Sequence, residues 1–464
     1  MKASCVLRWS CSAFLVLSAG GAHAESERQG DGSVPDTFEL RAYGETHARL
    51  FRRALLPGPA GALVQTETLL PVQQYLALEV SGLDTPLGRD TLDFELAGWG
   101  RAHPTEPAFE NTYDGDLQTA FVTLKHDVLW LRLGRQQIGG GAARFSRFDG
   151  FAVGVRISRI SSAEAYAGFS VLPRWNELYG YYHLGAAADS LLRSPEALAE
   201  PERSEHWVAG ARFGLALERA RASLSFHERR ETGGVAERNL GLDGNVTLFE
   251  RASVAAAVLL AADARSLADF RVWGEAEPLN GLFLVPEYTR AEPALLLSRQ
   301  SVLSVFATDA YQELGGRARL RASDQVSLGA GGWLEFYGGS RPGTRLETNL
   351  RLAVDRASRT LVLLRYGRTD AIENGYHSLR VALARRIAAA VSGTLDAYAY
   401  FYDEPIQGYT TSSVYSGTLS YLPWESLEVL WGVSLARSPY ARFDAQTLVR
   451  LSYALEASPG KNPW

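Results

Sequence analysis

From about residue 37 to residue 456, apolar and polar side chains alternate with a period of two, in spans of ten to fourteen residues. A period of two places successive side chains on opposite faces of an extended strand. In 344–355, Leu346, Thr348, Leu350, Leu352 and Val354 fall on one face, and Arg345, Glu347, Asn349, Arg351 and Asp355 on the other. In 312–321, Leu314, Ala318 and Leu320 alternate with Glu313, Arg317, Arg319 and Arg321; in 38–49, Phe38, Leu40 and Ala42 alternate with Glu39, Arg41 and Tyr43. Strands of soluble proteins average about 5–6 residues, whereas those of a membrane barrel run to roughly 10. One face is charged and the other aliphatic and aromatic, as lipid outside and water inside require. Closing the sheet on itself satisfies every backbone N–H and C=O without water. The longest aliphatic run, 254–262, is less than half of the roughly 20 residues that a membrane-spanning helix needs. The expected fold is therefore all-β: an antiparallel, up-and-down transmembrane β-barrel.

The links between strands give a second reading. Tight ones fall at Ser161-Ser162, Arg219, Glu250, Ser323, Ala357, Ile387-Ala388 and Pro423-Trp424, each after an even-numbered strand. Long ones, at 52–68, 103–115, 138–149, 173–203 and 292–307, follow odd-numbered strands. Barrels alternate short turns on one side with long loops on the other. The count that fits is about 22 strands, with 18 and 20 as other even solutions. Trp130, Trp207, Tyr366, Trp424 and Trp431 near strand ends fit aromatic girdles at the two membrane interfaces.

Residues 1–24 differ from the rest. Lys2 and Arg8 precede a short apolar core from Ala13 to Leu17, and Ala22-His23-Ala24 closes it as an A-x-A cleavage pattern, so 1–24 reads as a secretory signal peptide. Residues 25–36 then form a short periplasmic segment, 37–456 the barrel and 457–464 a tail, and the expected location is the outer membrane of a Gram-negative cell. Cys5 and Cys11 both lie in the signal, so the mature chain has no thiolate chemistry and no disulfide. Of 47 Lys and Arg and 52 Asp and Glu, only Lys2 and Arg8 leave with the signal, so the mature net charge is −7. A nucleic-acid binder would be basic.

The sequence carries no G-x-S-x-G, H-E-x-x-H, P-loop or G-x-G-x-x-G pattern, and its histidines are scattered without metal spacing. The expectation is no enzyme activity, no metal and no cofactor; Asn111, Asp114 and Asp116 read as turn chemistry before calcium ligands. The positive signal is the charged inner face, since a wide barrel encloses an aqueous channel whose fixed charges select solutes. Candidate inward residues include Arg41, Asp93, Glu95, Arg101, Arg132, Arg212, Arg271, Glu275, Arg365 and Arg380, with Arg317, Arg319 and Arg321 as a basic track and Glu347, Arg351 and Asp355 beside it. The third long link, 138–149, contains Gly139-Gly140-Gly141, which permits a sharp re-entry into the lumen. Arg144, Arg147 and Asp149 would then line a constriction, as the third external loop does in many porins.

The run Leu131-Arg132-Leu133-Gly134-Arg135-Gln136-Gln137, followed by the glycines and Asp149-Gly150, resembles a segment of porin-like outer-membrane proteins, among them the alginate-export barrels. The segment 285–315, with Glu287-Tyr288 and Gln312-Glu313-Leu314-Gly315, is similar to the same proteins. The resemblance implies passive passage of a hydrophilic solute or polysaccharide, with Arg132, Arg135 and Arg144 at the pore. The last strand, with Val449, Leu451, Tyr453 and Leu455 on one face, resembles the C-terminal signal read by the barrel insertion machinery. The partners expected are that machinery, outer-membrane lipid and lipopolysaccharide, and the solute. The alternatives are a non-conducting barrel for adhesion or scaffolding, with loop 173–203 as its binding element, and an outer-membrane hydrolase.

Overall fold

The computed structural model describes residues 38–54, 66–85, 90–105, 112–171, 206–231, 234–292, 295, 310–338, 342–355, 357, 359–371, 374–439 and 443–457. The expected signal peptide, segment 25–36, most of the tail and loop 173–203 lie outside these residues. The first strands are β1 (Glu39–Ala54), the short β2 (Thr66–Leu69), β3 (Val72–Asp84), β4 (Asp90–Ala102), β5 (Tyr113–His126), β6 (Leu129–Gly139), β7 (Phe145–Arg156) and β8 (Ser161–Ser170). There follow β9 (Trp207–Ala216), β10 (Ala220–Glu231), β11 (Gly234–Phe249), β12 (Ala252–Ala261), β13 (Ser266–Leu279), β14 (Leu282–Ala291), β15 (Tyr311–Arg321) and β16 (Val326–Tyr337). The last are β17 (Gly343–Ala353), β18 (Thr360–Asp370), β19 (Tyr376–Arg386), β20 (Val391–Ile406), β21 (Tyr409–Trp424), β22 (Leu427–Arg437) and β23 (Asp444–Ala457).

From β3 onward each strand pairs antiparallel with the next, and β1 pairs with both β3 and β23. That closes the ring and leaves no open edge. The short β2 pairs only with the end of β1, so the closed barrel has 22 strands. Among the described residues no helix is long and apolar enough to cross a membrane.

Register fixes the two faces. Paired residues face the same way, so one row across β15–β20 reads Arg319, Gly329, Asn349, Arg365, Arg380 and Tyr398. The adjacent row, on the other face, reads Leu320, Leu328, Leu350, Leu364, Val381 and Ala397. The apolar rows point outward: Leu76, Leu133, Leu224, Leu346 and Trp431 are each more than half exposed. A soluble monomer rarely exposes such a continuous apolar surface. The links at 85–89, 127–128, 157–160, 217–219, 250–251 and 425–426 define a tight-turn rim. Those at 55–65, 103–112, 171–206 and 292–310 define a wide-link rim opposite.

Three sequence expectations are corrected here. The link 138–149 is not a long loop: β6 runs to Gly139 and β7 starts at Phe145, joined by a single 3₁₀ turn at Gly141–Ala143. Asp355 is not a lumen residue. β17 ends at Ala353, and Asp355 sits in the following turn, accepting the backbone N–H groups of Arg359 and Thr360, both at 2.9 Å. Those hydrogen bonds hold its carboxyl below the usual Asp range. Trp130 shares the inner face with Arg132 and lies over Gly154, so it belongs to no outer girdle.

Candidate functional site in the barrel lumen

The β6–β7 hairpin leaves the wall. Its ladder with β5 stops at Ala120↔Arg135, one residue past Gly134. Gly134 has φ 122°, and a Cβ there would strike the carbonyl oxygen of Ala120. Only glycine takes this conformation at such close approach. Beyond the hinge the hairpin tip leans inward and meets inner-face residues of β5 and of β10–β13.

Four sets of contacts hold the tip. The Arg147 side chain, 1% exposed, donates to the Asp116 carboxylate at 2.5 Å, itself 7% exposed. The Ala142 N–H donates to Ser225 Oγ at 2.8 Å, and Asn239 Nδ2 donates to the Ala142 carbonyl at 3.3 Å. Ala142 packs with Leu259, Ala261 and Ala268. Ala143 packs with Phe148, Ala152, Tyr166 and Val208, apolar residues on the lumen side of β7–β9 that the tip covers. Tyr166 also bonds His227 Nδ1 at 2.8 Å beneath the same cover. The expected re-entry thus occurs, through a short turn on a kinked hairpin.

The sequence-predicted residues on this hairpin separate. Arg132 faces inward, 4.3 Å from the Phe121 ring centroid and 5.4 Å from that of Trp130, and donates to Thr123 Oγ1 at 3.2 Å. Arg135 and Asp149 lie on the opposite face and bind each other through two hydrogen bonds of 2.7 and 2.8 Å. Arg147 is consumed by Asp116, so neither Arg135 nor Arg147 presents a free guanidinium to a solute. Arg144 is exposed at the end of the turn with φ 51°. Ser225 and Asn239 were not found from the sequence. They meet Ala142 across 83 and 97 residues, and polar residues on an inner face carry no local signal that they will do so.

The rest of the lumen wall is divided. On β15–β18, Arg319, Arg321, Arg351 and Arg365 share the inner face and form no ion pair among the described residues. Arg319 lies 4.6 Å and Arg321 6.0 Å from the Phe283 ring centroid. Arg317, above them, pairs with Glu287 at 3.2 Å, and Glu347 lies on the same face of β17. Arg380 is held by Asp396, and Arg212 by Asp243. Halfway round the ring, β4 carries Asp93 and Glu95, and Glu95 stands directly across from Glu79 on β3. Asp93 is paired with Lys125 at 2.8 Å. The basic arc therefore lies across the ring from a mixed wall, in which Glu79, Asp93 and Glu95 share the inner face with Arg41, Lys125 and Arg132.

No family model matches the chain, and no curated protein matches it. The likeness to alginate-export barrels stays confined to the residues that carry it. Among solved structures, the chain is similar to the outer membrane protein opdK from Pseudomonas aeruginosa, at 11% identity and a TM-score of 0.39 over 90% of this chain and 99% of that one. It is similar to OccAB4 of Acinetobacter baumannii at 8% identity and 0.41, over 90% and 98%. It is likewise similar to the P pilus usher (PapC) translocation pore at 9% identity and 0.45, over 90% and 99%. The functional reading rests on the geometry of this barrel.

Proposed function

We propose that this chain is a porin-like channel of the outer membrane, passing hydrophilic solutes down their gradients with no cofactor and no chemistry. The supporting observation is the basic arc. Arg319, Arg321, Arg351 and Arg365 line the inner face without carboxylate partners among the described residues, inside a barrel whose outer face is apolar. A guanidinium left unpaired needs water or a passing anion. Fixed rows of opposite charge across a lumen orient a dipolar solute and favour anions along the basic side. The β6–β7 tip narrows the passage, with Arg144 exposed on it and Arg132 on the wall below. A hydrophilic solute or polysaccharide, the cargo that the resemblance implies, would be met by the same arginines, and an anionic one would be favoured.

Planar-bilayer recording of the refolded protein tests the reading. Discrete conductance steps with a reversal potential favouring anions at low salt are expected; an electrically silent barrel overturns it. A silent barrel would favour the second reading, a scaffold whose lumen is sealed, for which the apolar patch covered by the tip is the motivating observation.

A further inference from the structure

The outward face has its own charge pattern, unrelated to the lumen. On several strands the outward series runs apolar toward the wide-link rim and then ends in arginine. On β14 it reads Leu284, Pro286, Tyr288, Arg290; on β22, Trp431, Val433, Leu435, Arg437; on β1, Thr46, Ala48, Leu50, Arg52. On β18 it reads Val362, Leu364, Tyr366, Arg368, and on β10, Leu224, Phe226, Glu228, Arg230. β14, β18 and β22 are each four strands apart, and β1 follows β22 by two.

Two of these arginines are already satisfied. Arg368 is clamped by Asp403 with bonds of 2.7 and 2.6 Å, and Arg230 shares Glu228 with Arg238. Arg52, Arg290 and Arg437 have no ion-pair partner among the described residues. Arg437 lies 5.9 Å from the Tyr409 ring centroid, and the Nε of Arg290 is buried without an acceptor. At the tight-turn rim, the outward strand positions hold one arginine, Arg385, and the closed pair Asp90–His126 among the described residues.

A cation on the lipid side of a barrel is costly at mid-membrane and tolerated near the interfaces. These three sit where the apolar series stops, at headgroup depth. An unpaired guanidinium at that depth matches a phosphate, which it can grip with two parallel hydrogen bonds. We propose that Arg52, Arg290 and Arg437 form a lipid-facing basic rim that binds the phosphate groups of anionic lipids in the leaflet at the wide-link end. The rim fixes the depth of the barrel and its orientation in an asymmetric membrane. It does not depend on conduction.

Native mass spectrometry of the detergent-purified full chain tests this, with diphosphorylated lipid A as the probe and its dephosphorylated form as reference. Each arginine near an anionic surface contributes about fivefold, so the triple variant R52Q/R290Q/R437Q is expected to lose roughly a hundredfold of the preference for the phosphorylated lipid. R385Q at the other rim keeps the preference. An unchanged preference in the triple variant, or an equal loss in R385Q, overturns the proposal. Should the triple variant fail to fold, the single variants R52Q, R290Q and R437Q serve instead: each is expected to lose about fivefold of the preference, and an unchanged preference in all three overturns the proposal. Lipid A retention measured on a barrel that does not conduct would separate this inference from the channel reading.

Discussion

Two regions of the lumen handle charge in opposite ways. Toward the wide-link rim the charges are paired: Arg147 with Asp116, Arg101 with Asp114 at 3.4 Å, Arg229 with Glu231 at 2.7 Å, and Arg345 with Glu313 at 2.8 Å. Toward the tight-turn rim Lys125 pairs with Asp93, but on β15–β18 Arg319, Arg321, Arg351 and Arg365 have no carboxylate partner among the described residues. At the in-folded tip Arg147 is buried, and a buried charge without a partner is costly, so it takes the Asp116 carboxylate. In the open half water solvates the arginines, and they are left available to a solute. The packed tip is thus a region of matched charges, and the β15–β18 wall is the region that the channel reading assigns to solutes.

The sharpest way to break this comparison is to unpair a charge in the closed half. Arg147→Ala removes the guanidinium that pairs with the buried Asp116 carboxylate, and is expected to cost about 3–5 kcal/mol of stability. Urea titration, with unfolding followed by the barrel's gel mobility shift, measures it; a loss within experimental scatter would mean that the tip excludes no water. Next in size is the open half. Since one unit charge at about 4 Å in water is worth about 1 kcal/mol, Arg319→Glu with Arg351→Glu and Arg365→Glu should move the anion-to-cation permeability ratio by roughly a hundredfold or more at low salt. That shift should shrink in high salt, where screening shortens to a few ångströms. Reversal potentials in a salt gradient decide it, and an unchanged ratio would show that solutes do not pass the arc.

A smaller effect is expected at the clamp between the halves. Ser225→Ala removes the acceptor for the Ala142 N–H, a loss of about 1 kcal/mol. The expected readout is more open-channel noise and a modestly higher conductance, with little change in selectivity. A change in selectivity without added noise would contradict the clamp. The smallest effect lies outside the lumen, at Asp355. Its carboxyl is held low by backbone hydrogen bonds from the turn, chiefly that of Arg359. The stabilisation is therefore full above the ordinary Asp pKa and fades as pH falls through the lowered value. Asp355→Ala should slightly lower the urea midpoint at neutral pH and make no difference in strong acid; an equal effect at both would refute the assignment.

The barrel was readable because its alternation is local. β15 covers the alternating span 312–321 that periodicity assigns to a strand, since each alternating side chain answers only to lipid or water. Reading failed where another interaction intervened. Gly139-Gly140-Gly141 suggested a loop, although Phe145, Arg147 and Asp149 alternate with Ser146, Phe148 and Gly150 as a strand does. The alternation past Ala353 carried Asp355 into the strand by parity, but an Asp that can accept two backbone N–H groups is worth more in the turn.

By itself, then, the sequence determined the all-β class, the strands and the assignment of most side chains to lipid or lumen. These follow from a two-residue period and from the obligation to satisfy every backbone group within the sheet. Tertiary structure alone decided which inner charges meet. The kink at Gly134 is a single φ value, yet it sends the hairpin to Ser225 and Asn239, nearly a hundred residues away in sequence. Periodicity records which face a residue occupies; it does not record what closes over that face.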